Sequence, residues 1–223
     1  MMAARITVSK EDYLKAIAES QVEDGVVIAA TLVRWLGVSA PAVAMAIRRL
    51  SRDGLVRTDR EGHIALSASG RQIADRLRAR HNLIERMLTG MFGMEWYKVH
   101  DEAERLEHAV SEDFESRLVE VLGTGKPCPH GALPGQESPK SRRRMGWKRL
   151  AEASAGERVV VASVFERDRK LLEHFDRLGL RPGTAVSIES HNYDQTLTLR
   201  IADKSVPLGS PAAAAIWVRP ADA

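Results

Sequence analysis

Three residues, Gly37-Val38-Ser39, separate two short amphipathic stretches, Ala29–Leu36 and Ala40–Arg52, and this spacing constrains the fold more than any other feature of the chain. So short a connection makes two helices meet in a tight turn. Gly37 suits the left-handed position just past the first helix, Ser39 caps the second, and Pro41 falls in its first turn, where a missing N–H does no harm. Leu32, Val33, Leu36, Val43, Ile47 and Leu50 are the apolar positions that hold the pair together. After the Asp53-Gly54 turn come two alternating runs, Leu55–Thr58 and His63–Leu66, with Asp59-Arg60-Glu61-Gly62 as a hairpin tip. Upstream, Tyr13, Leu14, Ile17 and Ala18 recur at helical spacing and predict a helix over Ser9–Gln21, with Ser9 as its cap and Asp12 in its first turn.

Helix, helix-turn-helix, hairpin is the order of a winged helix-turn-helix, which predicts DNA binding. The net charge of +3 says little by itself, but six arginines against two aspartates lie between Arg34 and Arg60. Such a local excess is what phosphates attract, although a solvated face has the same composition. Ser39, Ala40 and Pro41 open the recognition helix, where small apolar groups suit thymine methyls. Arg34, Arg48, Arg49, Arg57 and Arg60 are placed to hold phosphates, which position a protein without reading sequence. With few long base-reading side chains, the expected target is double-stranded operator DNA, palindromic and read partly by shape.

A long helix is predicted from Ser69 or Gly70 to Met91, then helices over Trp96–Val110 and Ser111–Leu122. The Leu83–Met94 region is rich in apolar residues and serves either as intramolecular core or as a homodimer surface. From Gly123 to Ser154 glycines and prolines, Pro134 and Gly135 among them, punctuate the chain, followed by Lys140, Arg142, Arg143, Arg144, Lys148 and Arg149; this reads as a linker with a solvated basic tail. Beyond Gly156, strand candidates at Arg158–Val164, Ala185–Ser190, Thr196–Ile201, Lys204–Pro207 and Ala215–Val218 surround one helix, Arg169–Leu178, and suggest a small SH3-like barrel. The expected fold class is mainly α with a β wing. Its expected domains are a winged helix-turn-helix (1–70), a helical metal-binding and dimerisation block (71–123), a linker (124–154) and an SH3-like domain (155–223).

At 44% hydrophobic and 28% charged residues the composition is that of a soluble globular chain. No apolar run reaches the roughly 18–20 residues that span a bilayer. A single cysteine, Cys128, leaves no internal disulfide, which fits a reducing cytoplasm.

The chemistry lies in the helical block. His81 and Glu85 share one face of the long helix, and His100, Glu104, Glu107 and His108 stripe one side of the next. A solvated acidic face is one reading, but lysine and arginine partners are sparse there. Imidazoles facing carboxylates also describe a divalent-metal site. The enzyme signatures miss: Arg105 stands where a di-iron Glu-x-x-His would need its glutamate, and Glu104-x-x-Glu107-His108 is one ligand short of a zinc-protease motif. The chain is therefore expected not to be an enzyme, with a non-regulatory metal protein or metalloenzyme as the rival class.

Arg80-His81, Glu85-Arg86-Met87-Leu88, the run Lys98–His108, Ser39–Val43 and Arg52–Val56 together resemble the diphtheria toxin repressor family, and the resemblance extends over the whole chain. Leu178–Thr184 is similar to the SH3-like module of small ferrous-transport accessory proteins. The resemblance implies a homodimeric, metal-dependent repressor with two metal sites per subunit. It assigns His81, Glu85 and His100 to an ancillary site, completed near Glu166 or by Asp168, which could equally be only a helix cap. It assigns Asp12, Glu104, Glu107 and His108 to the activating site, whose metal would tie the DNA-binding part to the helical block. Iron-sensing members carry Met and Cys where this chain has Asp12 and Glu104. Carboxylates in place of sulfur harden the site and favour Mn²⁺, with Fe²⁺ second. Short manganese-sensing members carry a second acid where this chain has Lys15, so two separate sites are expected rather than a paired centre. His130, in the turn Cys128-Pro129-His130-Gly131, is read as structural, with metal binding as the lesser alternative.

Overall fold

The computed structural model describes residues 8–132 and 138–221, so Pro134 and Gly135 of the predicted linker lie outside the described residues. The chain forms two compact units: one runs to His81 and takes in a short segment ending at Ser141, and the other holds the rest.

In the first unit the first described element is α1 (Val8–Glu23), whose bounds include Ser9. α2 (Ala29–Leu36) and α3 (Ala40–Arg52) follow as predicted. Gly37 is left-handed (φ 65°), and the Ser39 hydroxyl accepts from the Ala42 N–H at the start of α3. β1 (Val56–Thr58) and β2 (Ile64–Leu66) pair antiparallel as the wing. Leu14, Ile17, Leu32, Val43, Leu50, Val56 and Ile64 form one buried cluster, so the period-3.6 and period-2 faces close on a common core. α4 (Ala68–Gly90) starts against this cluster. A Cβ on its Gly70 would fall 2.0 Å from the Leu55 carbonyl oxygen, so only glycine lets α4 lie this close to the strand.

In the second unit the end of α4 packs with α5 (Val99–Leu106) and α6 (Glu112–Leu122) through Leu83, Ile84, Met87, Ala103 and Leu118. Leu83, Ile84 and Met87 are core, whereas Met91 and Phe92 of the same apolar region are exposed. α5 is shorter than the predicted Trp96–Val110. Glu107 N–H still bonds to Ala103 O, but Ala109 N–H bonds to Leu106 O, tightening the end into a turn.

The basic stretch differs from the solvated tail expected of it. It forms α7 (Pro139–Arg144) and the short strand β3 (Lys148–Arg149), followed by a 3-10 turn at Leu150–Glu152. Arg142 is buried, with its guanidinium carbon 5.1 Å from the centre of the Trp217 ring, and that of Arg149 stands 4.1 Å away. The indole faces bind these planar cations and bury their stems. Then come β4 (Arg158–Val164), α8 (Arg169–Leu178), β5 (Ala185–His191), β6 (Leu197–Ile201), β7 (Lys204–Leu208), α9 (Ser210–Ala214) and β8 (Ile216–Pro220). The five predicted strands are present, and β3 adds a sixth in the antiparallel order β3-β8-β4-β5-β6-β7. Phe175, Leu172, Val161, Ile188, Leu199 and Val218 fill this small β domain.

Candidate metal centre and nucleic-acid face

In the first unit α3 presents Ala40, Pro41, Ala44, Met45, Arg48 and Arg49 to solvent, and the wing presents Arg57 and Arg60. Met45, in the middle of that face, went unnoticed in the sequence, where a lone methionine at helical spacing looks like core. Ser39 is engaged in capping α3, and Arg34 is ion-paired with Asp24 at 3.2 Å. Asp53 is taken up by Lys10, and Asp59 by His63 at 2.9 Å. The two acids of the arginine-rich stretch are thus held locally, which leaves the arginines as the dominant field on this face.

Asp12 is half-buried on α1. With Tyr13, Leu36, Val38, Ala42, Met45 and Arg49 it lines a hollow of about 430 Å³ between α1 and the recognition helix. Lys15, one turn on, is buried, with its Nζ 2.8 Å from Nδ1 of His81.

The second unit gathers a denser cluster. Glu85 is fully buried, and its Oε1 lies 3.3 Å from Nδ1 of His100 and 3.3 Å from Nδ1 of His130. Glu166 Oε2 is 3.5 Å from the same nitrogen of His130 and accepts from the Cys128 thiol at 3.5 Å. Glu85, Cys128, His130 and Glu166 each offer one ligand atom, all within 4.8 Å of one another.

The local backbone explains this convergence. Cys128 and His130 stand on a tight turn closed by Gly131 N–H to Cys128 O (2.9 Å) and Cys128 N–H to Ala132 O (3.0 Å). His130 O accepts from Val164 N–H at 2.9 Å, which pins the turn to the end of β4. Gly131 has φ +87°, and a Cβ there would sit 2.1 Å from Ala162 O, so this close approach needs glycine. The Nε2–H of His130 donates to Trp96 O at 2.9 Å and leaves Nδ1 facing the carboxylates. A backbone carbonyl holding the far nitrogen is the usual support of a metal-binding imidazole.

Charge balance tells the same story. Burial works against a charged His130, yet Glu85, with hydrogen bonds to Cys128 and Glu166, raises its pKa well above the ordinary value. Burial first, and then the charges of Glu166 and Glu85, push the Cys128 thiol far up. For Glu166, burial and Glu85 act upward, but the His130 hydrogen bond and the charges of His100 and His130 prevail and take it down to about 2. A ring and a thiol with raised pKa values thus face two carboxylates in one buried cluster. One imidazole, one thiol and two carboxylates suit a divalent transition metal.

The predicted residues fall as follows. Glu85 and His100 come together, and Glu104 approaches His100 (3.6 Å) while bound to Arg167 (3.0 Å). Glu107 is buried beside His108 at 3.6 Å. Glu166 belongs to the buried cluster, whereas Asp168 Oδ1 accepts from Leu171 N–H and caps α8. Cys128 went unread as a ligand, and His130 was read as structural first and as a ligand only second, because the loop that carries them shows no helical or strand period to place them. Their one signal was a cysteine and a histidine two apart, directly before a glycine.

Three family models match in order. Residues 5–64 match the iron-dependent repressor N-terminal DNA-binding domain, residues 67–133 the iron-dependent repressor metal-binding and dimerisation domain, and residues 148–220 the FeoA domain. The chain is 31% identical to the diphtheria toxin repressor of Corynebacterium jeikeium over 200 residues, covering 80% of this chain and 83% of the relative. It is 31% identical to the iron-dependent repressor IdeR of Mycobacterium leprae over 219 residues, covering 93% and 95%. Among solved structures, a manganese-dependent transcriptional repressor in complex with manganese superposes with a TM-score of 0.84 at 31% identity, covering 95% of this chain and all of the other. The manganese regulator SloR gives 0.77 at 26% identity, covering 97% of this chain and all of the other.

Proposed function

This chain belongs to the diphtheria toxin repressor family of metal-dependent transcriptional repressors, and from that premise we propose that it is a Mn²⁺-activated repressor of manganese-uptake genes that binds a palindromic operator as a homodimer. Its family is one of regulators rather than enzymes. The observation that carries the choice of metal is the pair of carboxylates, Asp12 and Glu104, at positions where the resemblance puts sulfur in iron sensors. Oxygen donors without thiolate or thioether favour a hard ion over a soft one. The activating set is Asp12, Glu104, Glu107 and His108. Asp12 borders the hollow behind Ala42, Met45 and Arg49 of α3, so an ion fixed on that carboxylate acts on the side of the DNA-binding unit that carries the recognition helix.

The second site is Glu85, Cys128, His130 and Glu166. A divalent metal bound there would supply the positive charge that two protons now provide, and Trp96 O would hold the His130 ring for it. The thiol makes this site the softer of the two and gives Fe²⁺ and Zn²⁺ their best foothold in the chain. Linkage of this kind is worth about 1–3 kcal/mol, roughly 5- to 150-fold in operator affinity.

Anaerobic titration of operator binding with Mn²⁺, Fe²⁺, Co²⁺ and Zn²⁺, with bound metal counted per chain, tests the reading. Mn²⁺ is expected to activate at the lowest free concentration, and Asp12→Ala to abolish that response while the fold persists. Stronger activation by Fe²⁺ would transfer the assignment to iron. Equal DNA binding with and without chelator would remove metal control altogether.

A further inference from the structure

Met45 is 61% exposed, more than any other large apolar side chain among the described residues of the first unit. It lies in the second turn of α3, one turn after Pro41 and one turn before Arg48 and Arg49, and all four side chains are exposed. An isolated exposed methionine is ordinary on a protein surface. This one has apolar company: Ala40, Pro41 and Ala44 are exposed on the same helix, and Leu36, Val38 and Ala42 line the hollow at its side. Charge says what covers such a patch. Arg48 and Arg49 continue the face, the wing presents Arg57 and Arg60, and the neighbouring Asp53 and Asp59 are held by Lys10 and His63. An apolar strip framed by guanidinium groups is complementary to a DNA duplex, whose phosphates border a groove floored by base edges.

The helix has little else with which to read those edges. Its 13 residues include no Asn, Gln, Lys, Asp or Glu, and the Ser39 hydroxyl is engaged by the Ala42 N–H as the cap. In a recognition helix the N-terminal residues reach the bases. Here those with exposed side chains are Ala40, Pro41, Ala44 and Met45, which offer only carbon, hydrogen and one thioether sulfur. The base-edge group in the major groove that such side chains recognise is the C5-methyl of thymine. Of the four, Met45 has the longest reach, and its unbranched chain adapts to the surface it meets.

We propose that Met45 is a specificity-determining residue of the recognition helix and reads a thymine by packing against its C5-methyl in the major groove. The inference rests on the operator-binding reading above and holds whichever ion activates the chain. The work of the face is then divided. The arginines hold phosphates and set affinity for any duplex, whereas Met45 sets the ratio between duplexes that differ by a methyl group. Burying one methyl against an apolar side chain changes affinity about fourfold.

To test this, the full chain with saturating Mn²⁺ first selects its preferred duplex from a random-sequence pool. Each thymine of that duplex is then replaced in turn by deoxyuridine, which removes the C5-methyl and leaves every hydrogen-bonding group in place. In the parent chain, replacement at one thymine per half-site is expected to weaken binding about fourfold, and replacement at both about fifteenfold. Met45→Ala should bind the thymine and deoxyuridine duplexes equally at those positions. Damage to the fold or to the phosphate contacts would weaken both duplexes alike and leave their ratio as it was. Tolerance of deoxyuridine at every position by the parent, or undiminished discrimination at every such position in Met45→Ala, overturns the proposal and leaves operator binding standing. A parent chain that enriches no duplex from the pool overturns the reading on which it rests.

Discussion

Metal binding at the buried cluster should expel two protons. In the metal-free chain Cys128 is held in its thiol form and His130 in its imidazolium form, both pKa values being raised, whereas Glu166 is already ionised at neutral pH. A metal needs the thiolate and the neutral ring. Below the raised value of His130, each unit of pH should therefore increase the apparent association constant about a hundredfold, or about 2.7 kcal/mol at 1.36 kcal/mol per proton. Above that value only the thiol still contributes, and the slope should fall to about tenfold per unit.

The stability of the metal-free chain follows the opposite course. The charged His130 contributes stability that is complete below the unfolded imidazole value and is lost as pH rises through its raised folded value. Glu166 contributes above the unfolded carboxylate value and loses that contribution as pH falls toward about 2. Added metal should accordingly raise Tm more at pH 8 than at pH 6.5. The assay is competition against a chromophoric chelator at several pH values, in an Asp12→Ala background so that the activating set stays silent. Calorimetry in two buffers of different ionisation enthalpy then counts the protons directly. Cys128→Ala should bind more weakly and with one proton fewer. A slope near zero in the parent, or an unchanged slope in Cys128→Ala, would refute the assignment of these ligands.

Gly131→Ala should lose the second ion, because a methyl 2.1 Å from Ala162 O displaces the turn that carries Cys128 and His130; dialysis should show one ion fewer and operator binding weakened rather than abolished. Gly70→Ala sets a Cβ 2.0 Å from the Leu55 oxygen and should cost roughly 3 kcal/mol of stability, read as a lower urea midpoint with little change in m. Arg48→Ala, on the exposed face of α3, should weaken binding to all duplexes about equally and reduce the salt dependence by about one counterion, with metal stoichiometry unchanged. A change in sequence preference instead would make Arg48 a base reader.

The first unit was legible because its signals are local. Gly37, Ser39 and Pro41 fix the turn between α2 and α3 by backbone chemistry, and the structure keeps each in that role. The wing strands follow from alternation, and the five strands of the last domain from short apolar runs between turn residues. The bounds of α1 differ from the expected ones by a residue or two, because helix ends fray in a way that no periodicity encodes. The basic stretch was misread for a different reason. Nothing near Arg142 in sequence announces Trp217, 75 residues later, against whose ring that one arginine of the run is buried.

The metal chemistry divides along the same line. Glu85 and His100 were readable because helical spacing states which side chains share a face. His81 shares that spacing with Glu85, and its Nδ1 stands 2.8 Å from Nζ of Lys15, a residue the sequence offers only as a missing acid. Cys128 and His130 were harder to read, for a turn gains its geometry from what it is pressed against. Val164 N–H, Trp96 O and the bare Cα of Gly131 are what aim them at Glu85. A cluster of this kind is fixed by its supports rather than by its ligands. In this chain Gly131, with positive φ against Ala162, is the position on which the aim of that turn depends.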